Sequence, residues 1–320
     1  MTAKKSAAKS AAKSAKQGAK KSAAAKTATT APVKLERRSC GAMSAHMRLL
    51  EMNPSFRGNQ FKLENDTAKM RTTSIDLKTV TIATINVVVH VVFNTPAENI
   101  SDAQIRSQIA VLNKDFRATN PDKSKVPAPW KGLLGDTRVK FVLHSVTRTK
   151  TTRTSFRDDD GVKKASTGGK APLDPSKFLN MWVCQLGNGL LGYAQFPGGP
   201  KATDGVVMLH SAFGTIGTAA APFNKGRTAT HEIGHYFNLR HIWGDTPDCS
   251  GSDMVPDTPN AAGPNFATPT FPVITCNNGP NGDMFMNYMD YVDDTAMFMF
   301  TSQQVLRMRA ALNGPRRKLW

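Results

Sequence analysis

The residues best suited to chemistry are His231, Glu232 and His235, with His241 six positions further on. Histidines four apart lie one turn above each other on a helix face, so both ring nitrogens can reach one ion at about 2.0 to 2.1 Å. A third neutral nitrogen leaves tetrahedral zinc one position for water or substrate, the arrangement of catalytic rather than structural sites. Glu232 points beside the metal, where it can take a proton from a zinc-activated water, and the set therefore reads as a hydrolase. An amphipathic helix that happens to carry histidines would explain the pair but not His241.

His241 can reach the same ion only if the helix stops and the chain turns back beneath it. That stop is expected at Asn238, because asparagine is the residue next most tolerant, after glycine, of a left-handed backbone. The helix itself is expected over about 225–239. Ahead of it, residues 80–93 alternate and are rich in Val, Ile and Thr, a strand pattern. Ser101 should cap a helix running to Phe116, with Ile105, Ile109 and Leu112 on one stripe. Residues 138–146, 178–184, 191–196 and 206–210 supply further strands, for a twisted sheet of about five. Beyond His241 the chain is mostly Pro, Gly, Asn and Asp until a last helix near 302–312. His46, His90, His144 and His210 lack metal spacing and are expected to be structural or exposed.

The composition, 320 residues and 40% hydrophobic, allows a sizeable core. Of the net charge of +18, nine charges come from lysines within residues 1–34, which hold no acid. That segment of Lys, Ala, Ser and Thr has no apolar face and is expected to be a disordered tail. A basic run can attract nucleic acid or other polyanions, or be merely solvated. No apolar run of about 7 to 15 residues follows its lysines, so it is not an ordinary secretory signal. A transmembrane segment is not expected either, since no apolar stretch of about 18 residues occurs.

The stretch from Thr230 to Asp245, the run Met286-Asn287-Tyr288-Met289-Asp290-Tyr291, and Asp293 with Asp294 resemble the pappalysin (cytophagalysin) family of metzincin zinc metallopeptidases. Residues 180–197, with Trp182-Val183-Cys184 and Gly192-Tyr193-Ala194-Gln195-Phe196, and residues 279–283 are similar to it too. The likeness runs from about residue 37 to the C-terminus. It implies a methionine turn beneath the histidines with Met289 at its centre, although plain core packing would use the same residue. It implies that the Tyr291 hydroxyl donates to the oxyanion of a tetrahedral intermediate; a buried tyrosine satisfied elsewhere is the alternative. An antiparallel edge strand at Leu191, Gly192, Tyr193 and Ala194 would let an extended peptide add backbone hydrogen bonds.

Of the four cysteines, Cys249 and Cys276 match a disulfide pair of the family, while Thr268 and Ala296 stand where a second pair would be. Cys184 reads as a packed strand residue. Cys40, in Arg37-Arg38-Ser39-Cys40-Gly41, falls in what corresponds to a pro-segment, where a thiolate could fill the open zinc position and keep a precursor inactive. Arg37 and Arg38 would favour that thiolate; an inert linker cysteine is the other reading. Some family members also hold calcium in the long loop, for which Asp253, Asp257 and Thr258, with Val255 nearby, offer oxygens. Solvated carboxylates would look the same. Relatives that cut before arginine or lysine use an acid just before a loop cysteine; here Thr295 and Ala296 stand there. Asp293 or Asp294 could substitute, and a basic enzyme could equally favour acidic substrates.

The expected fold is α+β with an α/β-like core: a metzincin catalytic domain with a twisted five-stranded mixed sheet, an active-site helix and a loop-rich C-terminal subdomain. Residues 1–34 are assigned to the tail, 35–70 to the pro-segment, whose end is expected between Glu64 and Thr73, and 71–320 to the catalytic domain. The function implied is a zinc-dependent endopeptidase, made as a latent proenzyme, that acts on protein or peptide substrates. Two alternatives are a polyanion-binding protein acting through its Lys-rich tail and a zinc-dependent peptide-binding protein that does not cut. A Cys249–Cys276 bridge would mean a secreted or exported enzyme; a reduced cytoplasmic one is the alternative. Oligomeric state is not legible.

Overall fold

The computed structural model describes residues 37–73, 76, 77 and 79–320, so the expectation for the tail at 1–34 lies outside the described residues. The valine-rich stretch forms β1, Ala83–Phe93, which starts three residues later than its apolar pattern. Alternation stops at Val87: from there to Val92 every residue is buried, as in a strand covered on both faces between parallel neighbours. β1 pairs in parallel with β2, Val139–Lys150, and with β3, Leu179–Cys184. β3 pairs in parallel with β5, Val206–Leu209, which takes β4, Gly192–Ala194, as a short antiparallel edge. The order β2-β1-β3-β5-β4 is the five-stranded mixed sheet of an α+β fold. β2 outruns its expected end at 146, because Thr147 to Lys150 keep pairing with His90 to Phe93. Those residues lie on a half-exposed edge strand and carry no apolar signal.

α3, Asp102–Asp115, begins where Ser101 Oγ accepts from Gln104 N at 3.1 Å. It buries Ile105, Ile109 and Leu112. The Phe116 ring then meets Phe141, Phe237 and Phe300 at centroid separations of 5.0, 6.1 and 5.1 Å. That cluster ties the end of α3 to the sheet, to the end of α4, Arg227–Tyr236, and to the start of α5, Ser302–Asn313. α4 is shorter than the expected 225–239. Gly226, in the left-handed region with φ 75°, opens it, and a turn at Asn238 closes it. α5 starts with a capping box of Thr301 and Gln304.

Ahead of the sheet lie α1, Ala42–Met52, and α2, Pro54–Thr72. Asn53 caps α2 by accepting from Phe56 N at 3.0 Å, with Pro54 at the first helical position. α2 packs on α5, with Leu63 clustered with Ala310 and Ala311. Between His241 and α5 the chain is irregular and is bridged by the Cys249–Cys276 disulfide, Cα–Cα 5.7 Å. Cys184 is buried in β3. His90 bonds Thr147 and Asn180, His210 bonds Gln185, His46 packs against Phe56 and Phe196, and His144 stacks on Phe178 at the surface. Among the described residues no helix is long and apolar enough to cross a membrane.

Candidate metal centre and cleft

α4 brings His231 and His235 together with His241 so that their three Nε2 atoms lie 3.1 to 3.3 Å apart. Each ring is fixed from behind. His231 Nδ1 donates to the Tyr288 carbonyl at 2.7 Å and His235 Nδ1 to the Leu239 carbonyl at 2.8 Å. His241 Nδ1 donates to Asp245 Oδ1 at 2.5 Å, and the His241 ring stacks on Trp243 at 4.4 Å. With Nδ1 protonated, three unprotonated Nε2 lone pairs face a common point, a mutually repulsive arrangement unless a cation fills it. Tetrahedral zinc with Zn–N of about 2.0 to 2.1 Å has ligand edges of about 3.3 to 3.4 Å, so the donor set fits it. Burial, and then the neighbouring imidazoles, hold His231 and His235 far below the usual imidazole range, so both stay neutral.

The return of the chain is a Schellman turn: Leu239 N donates to the Gly234 carbonyl and Asn238 N to the His235 carbonyl, each at 2.9 Å. Asn238 takes the left-handed position with φ 77°. Below the histidines Met289 is fully buried, and a Cβ on Gly234 would lie 2.4 Å from its sulfur. That glycine therefore lets α4 settle onto the methionine. The Tyr288 carbonyl that holds His231 directly precedes Met289, which couples the backbone there to one of the three rings.

Glu232 is buried beside the three rings, and burial lifts its carboxyl to about 8, opposed by the Cys40 hydrogen bond and the Arg38 charge. A Cβ on Gly192 would stand 2.8 Å from Glu232 Cγ and Oε1, so only glycine lets the edge strand pass so close to that carboxylate. The N-terminal segment lies along this edge. Gly41 N donates to the Gly192 carbonyl and Leu191 N to the Ser39 carbonyl, both at 2.9 Å, so Cys40 bridges Gly192 in the parallel sense. Tyr193 and Ala194 continue β4 beyond that bridge. The Cys40 Sγ and the three histidine nitrogens all lie within 4.8 Å of one another, and the sulfur is 3.5 Å from Glu232 Oε2. The Tyr291 hydroxyl contacts the same residue, 3.2 Å from Cys40 N and 3.4 Å from its carbonyl.

The arginines before Cys40 do something other than support a thiolate, which corrects that expectation. Burial, then the Glu232 charge, push the Cys40 thiol well up, and both guanidinium groups are engaged elsewhere. Arg37 lies over Phe266. Arg38 is buried, with Nη2 2.6 Å from Asp294 Oδ1, Nη1 3.0 Å from Thr228 Oγ1 and Nε 3.2 Å from the Val292 carbonyl. The other Asp294 oxygen accepts from Lys225 N and Arg227 N, at the opening of α4. Of the two candidate acids, it is Asp294 that meets the guanidinium.

In the long loop Asp253 accepts from Val255 N at 3.0 Å and Thr258 Oγ1 at 2.7 Å. Asp257 turns away to Thr301 and Gln303 at the start of α5. Thr258 Oγ1 also donates to the Val255 carbonyl at 2.9 Å, so Asp253, Val255 and Thr258 meet there while Asp257 is engaged elsewhere. Sequence reasoning did not single out Asp245 as the partner of a ligand, though its position four after His241 was a signal. Nor did it find the role of Arg38, or the ion pair of Glu64 in α2 with Arg307 in α5.

Comparison with known proteins adds three findings. The family model of pregnancy-associated plasma protein-A, peptidase M43, matches residues 167–313. An extracellular metalloprotease of Arthroderma otae is 32% identical over 238 residues, covering 71% of this chain and 77% of its own. One of Podospora anserina is 28% identical over 296 residues, covering 89% and 92%. Among solved structures, a promirolysin mutant of Tannerella forsythia has a TM-score of 0.80 at 42% identity, covering 88% of this chain and 97% of its own. Mature mirolysin in complex with a cleaved peptide has a TM-score of 0.74 at 46% identity, covering 75% and 96%.

Because Asp245 orients His241, Asp245→Asn should weaken zinc binding by about 10- to 100-fold. Competition with a chromophoric chelator measures this, and an unchanged affinity would show that His241 needs no such partner.

Proposed function

The chain belongs to the pregnancy-associated plasma protein-A family of peptidases, M43, and from that membership we propose how its own residues work as a zinc-dependent endopeptidase made as a proenzyme. The observation that carries the reading is the convergence of three Nε2 lone pairs at tetrahedral spacing beside a buried glutamate. His231, His235 and His241 would hold zinc, which when bound supplies Lewis acidity to a carbonyl and to water. Glu232 takes the proton of the attacking water and returns it to the leaving amine. Its burial beside the edge strand and the three rings puts the carboxylate where it can make both transfers. Tyr291, kept protonated by burial, donates to the oxyanion once Cys40 no longer occupies its hydroxyl. Leu191 and Gly192 offer the substrate the backbone groups that Ser39 and Gly41 take in the latent form, and Tyr193 and Ala194 extend the same edge.

Latency rests on Cys40 at the ligand cluster and on the chain either side of it. We place the end of the pro-segment at the last turn of α2, from Lys69 to Thr73. In support, coverage of this chain's 320 residues falls from 88% with promirolysin to 75% with mature mirolysin, a difference of about 42 residues. Counted from residue 37, that length reaches a few residues past the end of α2. The exported location is inferred from the extracellular relatives and from the Cys249–Cys276 bridge.

Arg38 also suggests what the cleft accepts. A fully buried carboxylate beside the metal centre holds a guanidinium, and once the pro-segment leaves, a substrate arginine or lysine can take its place. We therefore favour basic over acidic residues next to the scissile bond.

Three outcomes are expected. Glu232→Ala, or a chelator reversed by added zinc, should lower cleavage of a denatured protein by at least about 100-fold; an active Glu232→Ala enzyme would exclude this base. Asp294→Asn should cut the preference for arginine over norleucine peptides by about 30-fold, read as a kcat/KM ratio within each enzyme, and an unaltered ratio would remove Asp294 from selection. Activity should accumulate in the medium of the producing cells; activity confined to their cytosol would refute export.

A further inference from the structure

The pro-segment makes a second charged contact, away from Cys40. After Cys40 the chain rises through α1, where His46 packs 4.5 Å from Phe196, itself 5.4 Å from the His235 ring. α2 then passes over the chain beyond the edge strand, with Gln60 Nε2 donating to the Pro197 carbonyl and Asn59 Nδ2 to the Gly198 carbonyl. One turn on, the Glu64 carboxylate meets Arg307 as a fork, Nη1 to Oε2 at 2.7 Å and Nη2 to Oε1, and accepts from Asn238 Nδ2 at 3.4 Å. Arg240 stands within electrostatic reach of Glu64 and Arg307 and has no hydrogen-bonded partner among the described residues. Burial and the like charge of Arg307 hold it below the usual guanidinium range.

Glu64 therefore pairs with Arg307 and lends its charge, without a contact, to Arg240. The other acids that act on Arg240 are Asp245 and Asp253. Asp245 is committed to His241, and Asp253 to Val255 and Thr258. The Asn238 Oδ1 is buried without a partner, so the polar groups here are only partly satisfied even with Glu64 in place. Departure of α2 would take from Arg307 the carboxylate it pairs with and from Arg240 the nearby charge of Glu64.

We propose that the place vacated by Glu64, between Arg307, Arg240 and the Asn238 amide, is a subsite of the mature enzyme for an acidic side chain of the substrate. Arg38 precedes Cys40 in the chain and fills one charged pocket; Glu64 follows it, on the helix that covers Pro197 and Gly198 beyond the edge strand, and fills the other. The preferred substrate carries a basic residue on one side of the scissile bond and an acidic residue several positions away on the other. The inference rests on the peptidase reading and on release of the chain through α2.

The test begins with the full chain, allowed to process itself, its new N-terminus fixed by intact mass. Peptides that share one basic residue and carry Glu or Gln scanned along the opposite side then compete in one digest, with product ratios read by mass spectrometry. At one position Glu should be preferred about fivefold, and raising the salt should shrink the ratio. Arg240→Gln should bring it to about one, and Arg240→Glu should favour Lys over Gln at that position. Arg240 is chosen because Arg307 also donates to the Asn238 carbonyl and its loss could disturb the turn itself. A ratio of one at every position, or one that neither substitution moves, overturns the subsite alone. An N-terminus that retains Glu64 overturns it together with the processing reading, and uncut peptides overturn it together with the peptidase reading.

Discussion

Three imidazole lone pairs pointed at one another within 3.3 Å form an arrangement that no folded chain holds without cause. Unprotonated nitrogens at that spacing repel, and water cannot satisfy three acceptors in so small a space. The surrounding structure exists to impose that geometry. A Schellman turn at Asn238 brings His241 back, the Tyr288 and Leu239 carbonyls and Asp245 take the three Nδ1 protons, and Gly234 lets α4 rest on Met289. Each of these holds a ring by its rear nitrogen or its backbone, so the strain of convergence spreads over several contacts. A bound cation turns the repulsion into ligation, which makes the site both a cost to the apo fold and a strong sink for metal.

The same economy of contacts explains why the pro-segment lies where it does. A peptide added to the edge of β4 gains backbone hydrogen bonds without regard to its side chains, so Ser39 and Gly41 need no special chemistry. What singles out this segment is the set of side chains that flank that pairing: Cys40 at the ligand cluster, Arg38 on Asp294 and Glu64 on Arg307. A buried ion pair adds little net stability but is costly to break from one side. It therefore serves to register the segment on the cleft, and register is what puts the Cys40 sulfur beside the histidines rather than one residue along.

How much of this was readable follows from sequence distance. His231, Glu232, His235 and His241 lie within one helix and its turn, where spacing translates directly into geometry. The sheet was also legible, since β-branched runs survive as strands, but its strand ends were not. β1 lost its expected alternation because both of its faces are covered, and β2 continued past 146 on half-buried Thr and exposed Arg and Lys. The contacts between Arg38 and Asp294, 256 residues apart, and between Glu64 and Arg307, 243 apart, have no local signature. Arg38 looked like a helper for its neighbour Cys40. Only the folded chain shows that a buried acid has taken its charge.

Removal of the pro-segment need not leave the two sites as damaged surfaces. Asp294 keeps Lys225 N and Arg227 N as donors, and Arg307 keeps the Asn238 carbonyl for its Nε. Each charge therefore retains partial satisfaction and, once exposed, water for the rest. A group that is half satisfied and newly hydrated is still able to reward a matching ligand, because the desolvation it must repeat is smaller than for a free ion. The charges that hold the segment are by that argument the ones left to discriminate among substrates. Latency and selection would then draw on the same pair of pockets, and a change in either one would be expected to alter both properties together.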